Sequence, residues 1–216
     1  MTDYSRLRER MVQRQIAGRG VRSEKVLDAM RKVPRERFLP NGQAAWAYDD
    51  APLPIGDGQT ISQPYIVAYM TEALLLEGGE TVLEIGTGSG YAAAVLAEIA
   101  ADVYTIERID GLAIMARIVL DKLGYQNVHV RQGDGTLGWP EHAPFDAIVV
   151  TAGGPDVPDP LKRQLKIGGR LVMPIGKTTW FQELVRVTRI TEADFDTEYL
   201  VPVRFVPLIG EEGWDS

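Results

Sequence analysis

The sequence predicts an α/β fold: a mostly parallel sheet with helices on both faces, closing antiparallel strands at one edge, and a small helical addition at the front. Three observations predict it. Thr81–Tyr91, TVLEIGTGSGY, reads as a buried strand that runs into glycines at alternate positions and then into a helical pattern. After it, short apolar runs alternate with helical patterns, the signature of repeated β-α units. Phe145–Thr151 is almost wholly apolar, as a central parallel strand covered on both faces should be.

The elements follow in order. Ser5 to Gly18 has a helical pattern, stopped by Gly18 and Gly20. A second helix has Ser23 as its N-cap, sets Val26, Leu27, Met30 and Val33 on one face, and ends at Pro34. Pro34 to Gln63 has little periodicity and many prolines and glycines; long unpatterned segments inside a compact domain are often functional. Pro64 suits the first turn of a third helix, with Gln63 or Ser62 near the cap and Ile66, Val67, Met70, Ala73, Leu74 and Leu75 on its buried side. Gly78-Gly79 stops it. Strands are then expected at Val82–Ile85, Val103–Glu107, Val128–Arg131, Phe145–Thr151 and Gly169–Ile175. The intervening helices are Tyr91–Ala100, Asp110–Leu123 and a short Pro158–Leu165; in the second, Leu112, Met115, Val119 and Leu123 share a face and Gly124 is the stop. Phe181–Thr188 and Tyr199–Val206 read as a closing antiparallel pair, and the tail Leu208–Ser216 has no helical pattern.

Composition narrows the function. The chain has 216 residues, 45% hydrophobic and 25% charged, ordinary for one globular domain. No apolar run approaches the roughly 18 residues that cross a bilayer. The N-terminal MTDYSRLRERMVQRQ lacks an apolar signal region, which favours the cytoplasm. There are no cysteines and only two histidines, His129 and His142, so thiol nucleophiles, cysteine metal sites and a histidine-rich metal cluster are excluded. The formal charge of -7 argues against a large phosphate-binding footprint.

The glycine loop is informative in its details. Glycine permits φ > 0 and lets backbone approach a ligand closely. A dinucleotide fingerprint needs a glycine at position 91, where this chain has Tyr91. Glu84, one apolar residue and then Gly86-x-Gly88-x-Gly90 instead look like the first motif of S-adenosylmethionine (AdoMet) methyltransferases. Carboxylate charge nearby suits the sulfonium and amino groups of that cofactor. Glu107 ends the next strand, about 20 residues on, where a carboxylate accepts ribose hydroxyls; the alternative is a surface acid beside Arg108. Gly133-Asp134-Gly135 follows the third strand, as an adenine-recognition carboxylate or a plain turn. Ser62 is a nucleophile, a substrate donor or simply a helix cap; neither histidine is tied to it by a motif, which discounts a triad. His129 reads as a strand residue and His142 as a turn residue. The four tryptophans and Tyr48, Tyr65 and Tyr91 are core or cofactor walls.

Taken together, these residues resemble the protein-L-isoaspartate (D-aspartate) O-methyltransferase family. The resemblance spans nearly the whole chain: RKVPRERFLP at Arg31–Pro40, AYDDAPLPIGDGQTISQPYIVAYM at Ala47–Met70, VLEIGTGSGY at Val82–Tyr91, YTIERI at Tyr104–Ile109, GDG at Gly133–Gly135, FDAIVVTA at Phe145–Ala152, GGRLVMPIG at Gly168–Gly176 and VRFVPL at Val203–Leu208. The PLPIG…GQTIS block is the most specific part. The resemblance implies a class I AdoMet-methyltransferase (Rossmann-like) domain over 1–216, with helices and a substrate and cofactor loop in 1–77 and the core in 78–216. It implies methylation of the free α-carboxylate of L-isoaspartyl, and by the family's name D-aspartyl, residues in aged proteins. The ester then closes to a succinimide, and S-adenosyl-L-homocysteine is the coproduct.

By the same resemblance Ser62 is the active-site serine, with Thr60, Ile61 and Gln63 lining the cleft beside it. Glu84, Gly86, Gly88 and Ser89 match the methionine side of the cofactor site. Glu107 matches the ribose ligand, Asp134 and Gly135 the adenine site, and the Val206 main chain a substrate contact; no metal is implied. Asp57, Val67 and Gly153-Gly154 depart from common family forms. The expected partners are isoaspartyl proteins and peptides, not nucleic acid or membrane, and a monomer is expected. Other readings are AdoMet transfer to a different acceptor, a non-catalytic AdoMet-binding damage sensor, and a dehydrogenase. The absence of an Asn/Asp-Pro-Pro-aromatic run after Val150 and the presence of Tyr91 weigh against nucleic-acid amino methylation and a dehydrogenase respectively.

Overall fold

The computed structural model describes residues 3–215; Met1, Thr2 and Ser216, the last residue of the tail, lie outside the described residues. Helix α1 (Tyr4–Met11) starts where the Asp3 carboxylate accepts the Arg6 N–H at 3.1 Å, then runs into a π turn at Val12–Ile16 whose Val12 and Ile16 are buried. Gly20, at φ 108°, ends this run. Helix α2 (Glu24–Lys32) buries Val26, Leu27, Ala29 and Met30. Ser23 stands at its N-cap position but makes no side-chain cap bond. The Glu72 carboxylate accepts the Arg22 and Ser23 N–H groups instead, at 2.6 and 2.7 Å, and so ties this helix start to the next helix.

The unpatterned Pro34–Gln63 stretch hides a small hairpin, β1 (Leu53–Gly56) and β2 (Gln59–Ile61), paired antiparallel. Its strands are too short for an alternation to be visible. Gly56, Asp57 and Gly58 all have positive φ at its tip, so the departure at Asp57 falls on an exposed turn whose left-handed backbone suits Asp. Helix α3 (Pro64–Ala73) has Pro64 in its first turn. It ends before Gly78-Gly79: Leu75 already has φ 55° and is exposed, and Leu76 takes the buried place expected of it.

The remaining elements are β3 (Thr81–Ile85), α4 (Tyr91–Ala97), β4 (Asp102–Glu107), α5 (Asp110–Leu123), β5 (Val128–Gln132), β6 (Phe145–Val150), α6 (Asp159–Arg163), β7 (Leu165–Ile175), β8 (Gln182–Arg189) and β9 (Phe195–Val203). They form one seven-stranded sheet in the order β5-β4-β3-β6-β7-β8-β9. The first five of these are mutually parallel, and β8 and β9 close the edge antiparallel. Four expectations shift. α4 ends at Ala97, short of Ala100, and β9 runs from Phe195 to Val203 and not over Tyr199–Val206. In α5 the buried face is Leu112, Ala113, Ala116 and Leu120, and Met115 is exposed, because alanines carry the close helix–sheet contact. β7 begins at Leu165, so the preceding helix is shorter than expected.

Alternation along the strands splits the core. Leu83, Ile85, Ile148 and Val150 pack with Leu161 of α6 on one face; Val82, Ala147 and Val149 pack with α3 and α4 on the other. The N-terminal helices build a further cluster with Tyr91, Ala94, Leu112 and Leu120. The chain leaves β3 to build β4 and β5 on one side, then returns to place β6 on the other. The crevice at the carboxyl ends of β3 and β6 is therefore the switch point at which open α/β sheets take ligands.

Candidate active site

The site is built on the loop after β3. Gly86, Gly88 and Gly90 all have positive φ. At Gly86 a Cβ would overlap the Thr151 hydroxyl, so glycine there is needed for packing as well as for conformation. Thr151, just past β6, donates to the Gly86 carbonyl at 2.8 Å and binds the loop to the neighbouring strand. Beyond the loop, Tyr91 is buried, with the Phe38 ring edge-on at 5.6 Å and the Arg35 guanidinium 4.9 Å over its ring. Tyr91 thus docks the helical addition onto the start of α4. Burial, partly offset by Arg35, pushes its phenol up to about 12.

Glu107 has both carboxylate oxygens pinned. One accepts the Gly88 N–H at 2.8 Å and the other the Ile109 N–H at 2.9 Å. Each oxygen keeps a free acceptor site, two in all, beside the glycine loop. Ile85, Ile106, Ile109, Gly135, Ala152 and Leu208 give the surrounding cleft apolar walls, and its volume is about 210 Å³. A pair of adjacent acceptors in an apolar slot fits the ribose diol and flat base of a nucleoside.

Asp134 is placed differently from the expectation. Gly135 lines the cleft, but the Asp134 side chain turns to the C-terminal tail. One oxygen accepts the Thr136 N–H and hydroxyl, at 2.9 and 2.7 Å, and the other accepts the Glu211 N–H at 2.8 Å. Burial raises this carboxyl, but the bonds from Glu211 and Thr136 outweigh it and leave it below the usual carboxylate value. One acceptor site is left on the oxygen that takes the Glu211 bond.

Glu84 corrects the charge expectation. It is 0% exposed and lines none of the cavities around the loop. Thr105, its neighbour across the sheet, donates to one oxygen at 2.6 Å, and the other oxygen has no partner among the described residues. Desolvation pushes its pKa up to about 8, against the Thr105 bond that lowers it, so the group is neutral at pH 7. It supports the loop from beneath through the Thr105–Thr87 hydroxyl contact of 2.6 Å and brings no charge to the cleft.

Ser62 lies between β2 and α3. Its hydroxyl bonds no described residue and does not cap α3. It borders a small cavity with Ile61, Val67, Ser89 and Ala92, and also a wide groove of about 870 Å³. Thr60 and Thr151 border both of these and the nucleoside cleft, so the three spaces meet beside Ser62. Gln63 lines the groove, where its amide donates to Asp50 at 2.9 Å. Val67 closes the small cavity, so the departure there touches the site directly.

The far wall of the groove is Val201–Pro207. This strap is fixed by Gln182, which sequence reasoning missed, and by Gly153, which it marked only as a departure. The buried Gln182 amide accepts the Phe205 N–H at 2.7 Å and donates to its carbonyl at 3.3 Å. The Gly153 N–H donates to the Val206 carbonyl and its own carbonyl accepts the Leu208 N–H, both at 2.8 Å. The Trp214 indole adds a bond to Gly153 at 2.9 Å. A Cβ at Gly153 would overlap Gln182, which accounts for glycine at that departure from the family form. The Val206 carbonyl is occupied, and among the described residues its N–H is the free main-chain group. The two histidines line none of these spaces: His142 stacks on Tyr104 at 4.1 Å and His129 lies tilted against it at 4.7 Å.

A family model described as Protein-L-isoaspartate(D-aspartate) O-methyltransferase (PCMT) matches residues 6–213. The chain belongs to the protein-L-isoaspartate(D-aspartate) O-methyltransferase family. A relative from Rhodopseudomonas palustris (strain HaA2), protein-L-isoaspartate O-methyltransferase 1, is 64% identical over 215 residues, covering 100% of this chain and 88% of its own. A solved protein-L-isoaspartate O-methyltransferase is 33% identical, with a TM-score of 0.87 over 95% of this chain and 67% of the other. A Plasmodium falciparum structure in complex with S-adenosyl-L-homocysteine shares the fold at 24% identity, with a TM-score of 0.81 over 94% and 98% of the two chains. Membership bears out the family resemblance and the fold class read from the sequence, and no described helix is long and apolar enough to cross a membrane.

Proposed function

We propose that this chain is an AdoMet-dependent enzyme that methylates the free α-carboxylate of isoaspartyl residues in proteins and peptides. The observation that carries this reading is the junction at Thr60, Ser62 and Thr151, where a nucleoside-sized cleft opens onto a peptide-sized groove. Glu107 would hold the ribose hydroxyls on its two free acceptor sites. Gly135 and the last site on Asp134 would receive the adenine, and Gly86, Gly88 and Ser89 would border the methionine end. Glu84 is given the part of a neutral support under that loop. When bound, AdoMet supplies a methyl group activated by a sulfonium.

The protein's own task is then alignment. A carboxylate is ionised at pH 7, its ordinary pKa being about 4, and needs no base. Ser62 donates to one carboxylate oxygen and leaves the other to react. Thr60, Ile61 and Gln63 shape the approach. The Val206 N–H holds the substrate main chain. Holding two reactants in line is worth about 7–11 kcal/mol in favourable cases. Residues 1–77 form the cover and 78–216 the cofactor-binding core of one domain. The reading extends to a monomer that acts in the cytoplasm and not on nucleic acid, the last point supported by the charge of -7. Methyl-labelled AdoMet offered with an isoaspartyl peptide and its aspartyl twin tests the reaction. Label should enter the first as a base-labile ester and not the second; equal labelling of both refutes the proposal.

A further inference from the structure

The groove differs in charge from the rest of the molecule. The chain carries a formal -7, yet the groove's lining includes Arg19 and Arg204 and no Asp or Glu. The two arginines are in different states. Arg19 lies 3.6 Å over the Tyr65 ring and pairs with Asp50 at 3.0 Å, just behind the wall, so its charge is largely answered. Arg204 lies 4.3 Å over the Trp180 ring. Among the described residues it forms no ion pair and no hydrogen bond. Trp180 is itself 65% exposed, and Arg204 is exposed with it. A guanidinium resting over an indole face spends no hydrogen-bond donor on the ring, so its donors stay free for a carboxylate.

We infer that Arg204, lying on Trp180, selects isoaspartyl substrates that carry an acidic side chain close to the damaged residue. This rests on the isoaspartyl reading and adds a specificity to it. The occupant is a peptide segment whose isoaspartyl residue reaches Ser62 while a neighbouring Asp or Glu reaches Arg204 along the Val201–Pro207 wall. Two features favour a flanking side chain over the reacting carboxylate as the partner of Arg204. Thr60 and Ser62, at the junction with the cofactor cleft, already offer neutral hydroxyls to the reacting group. A full ion pair there would draw charge from the oxygen that must attack. Deamidation and isomerisation leave the flanking sequence unchanged, so a contact outside the damaged residue sorts substrates by context.

The test uses the purified enzyme and one isoaspartyl peptide in three forms, with Glu, Gln or Lys placed in turn at each of the positions flanking the isoaspartyl residue. At one or more positions kcat/KM should fall about threefold from Glu to Gln and again from Gln to Lys, the range of a partly exposed ion pair. The ranking should shrink as salt is raised, because charges at a rim are screened. Arg204→Gln should remove most of the Glu-to-Lys spread, and Arg204→Lys should restore part of it. Equal kcat/KM for the three forms at every position overturns the inference and leaves the methylation reading intact. A uniform fall for all peptides in Arg204→Gln, with the ranking kept, also overturns it and assigns Arg204 to the reacting carboxylate. No methylation of any isoaspartyl peptide overturns both.

Discussion

The floor of the site and its groove are built on opposite plans. On the floor nearly every polar group is already partnered. Glu107 is held by two backbone N–H groups, Thr151 by the loop carbonyls, and Asp134 by Thr136 and Glu211. In the groove Arg19 and Gln63 are tied to Asp50, but the Ser62 hydroxyl, the Val206 N–H and the Arg204 guanidinium are left open. The contrast fits what each half must do. A small cofactor of fixed shape is best met by groups held in place beforehand, which lowers the ordering cost of binding. A damaged residue arrives in many sequence contexts, and open groups can adapt to them. Disturbing the floor should therefore affect cofactor affinity and stability, and disturbing the groove should affect turnover and choice of peptide.

The largest expected effect is Glu107→Ala. It removes the two acceptor sites proposed for the ribose and frees the Gly88 and Ile109 N–H groups. Charge-assisted hydrogen bonds contribute about 1.5–3 kcal/mol each, so AdoMet affinity should fall about 100-fold or more by calorimetry. Unchanged affinity would remove the ribose role. Glu84 tests the same half through pH. Its folded pKa of about 8 lies above the ordinary glutamate value, so the folded protein holds this proton more tightly than the unfolded chain does. The group's contribution is full below the unfolded value of about 4.3 and is lost as pH rises through about 8. Glu84→Gln does not titrate. The melting temperature of the wild type minus that of the variant should therefore decline across that window, and a flat difference would contradict the neutral, buried assignment.

A smaller effect is expected at the boundary between the halves. Gly153→Ala forces a Cβ against Gln182 and should loosen the Phe205–Leu208 strap. Overpacking of this kind costs about 1–3 kcal/mol, read as a lower melting temperature and a raised KM for isoaspartyl peptide. Ser62→Ala should be the mildest. It removes one hydrogen bond to substrate, so kcat/KM should fall up to about tenfold while AdoMet affinity changes little. A matching loss of cofactor affinity would move Ser62 to the floor.

The sheet was legible because short apolar stretches in β3, β4, β6 and β7 alternate with helical patterns, and the glycine loop and Glu107 lie at the ends of β3 and β4. The β1-β2 hairpin was not, since strands of 4 and 3 residues carrying Pro54 show no period. The motif suggests Glu84 as charge beside the cofactor because a motif gives a residue's type and not its depth; its register opposite Thr105 decides that. Thr151 had a usable signal, its place at the carboxyl end of a central strand. Gln182 had none, and Gly153 stood out only as a departure from the common family form. Gln182 opens β8 and Gly153 lies just past β6, and only the fold brings them together. Ser62 was open between cap and site on pattern alone, and the absence of a cap bond in the structure favours the site.

The most direct measurement is a structure of this protein with S-adenosyl-L-homocysteine bound. The ribose hydroxyls should lie on the two Glu107 oxygens with the Gly88 and Ile109 bonds still in place, and the sulfur should point toward Ser62. A nucleoside bound elsewhere, or a Glu107 that must release the loop to receive it, would contradict the account of a floor set before its ligand arrives.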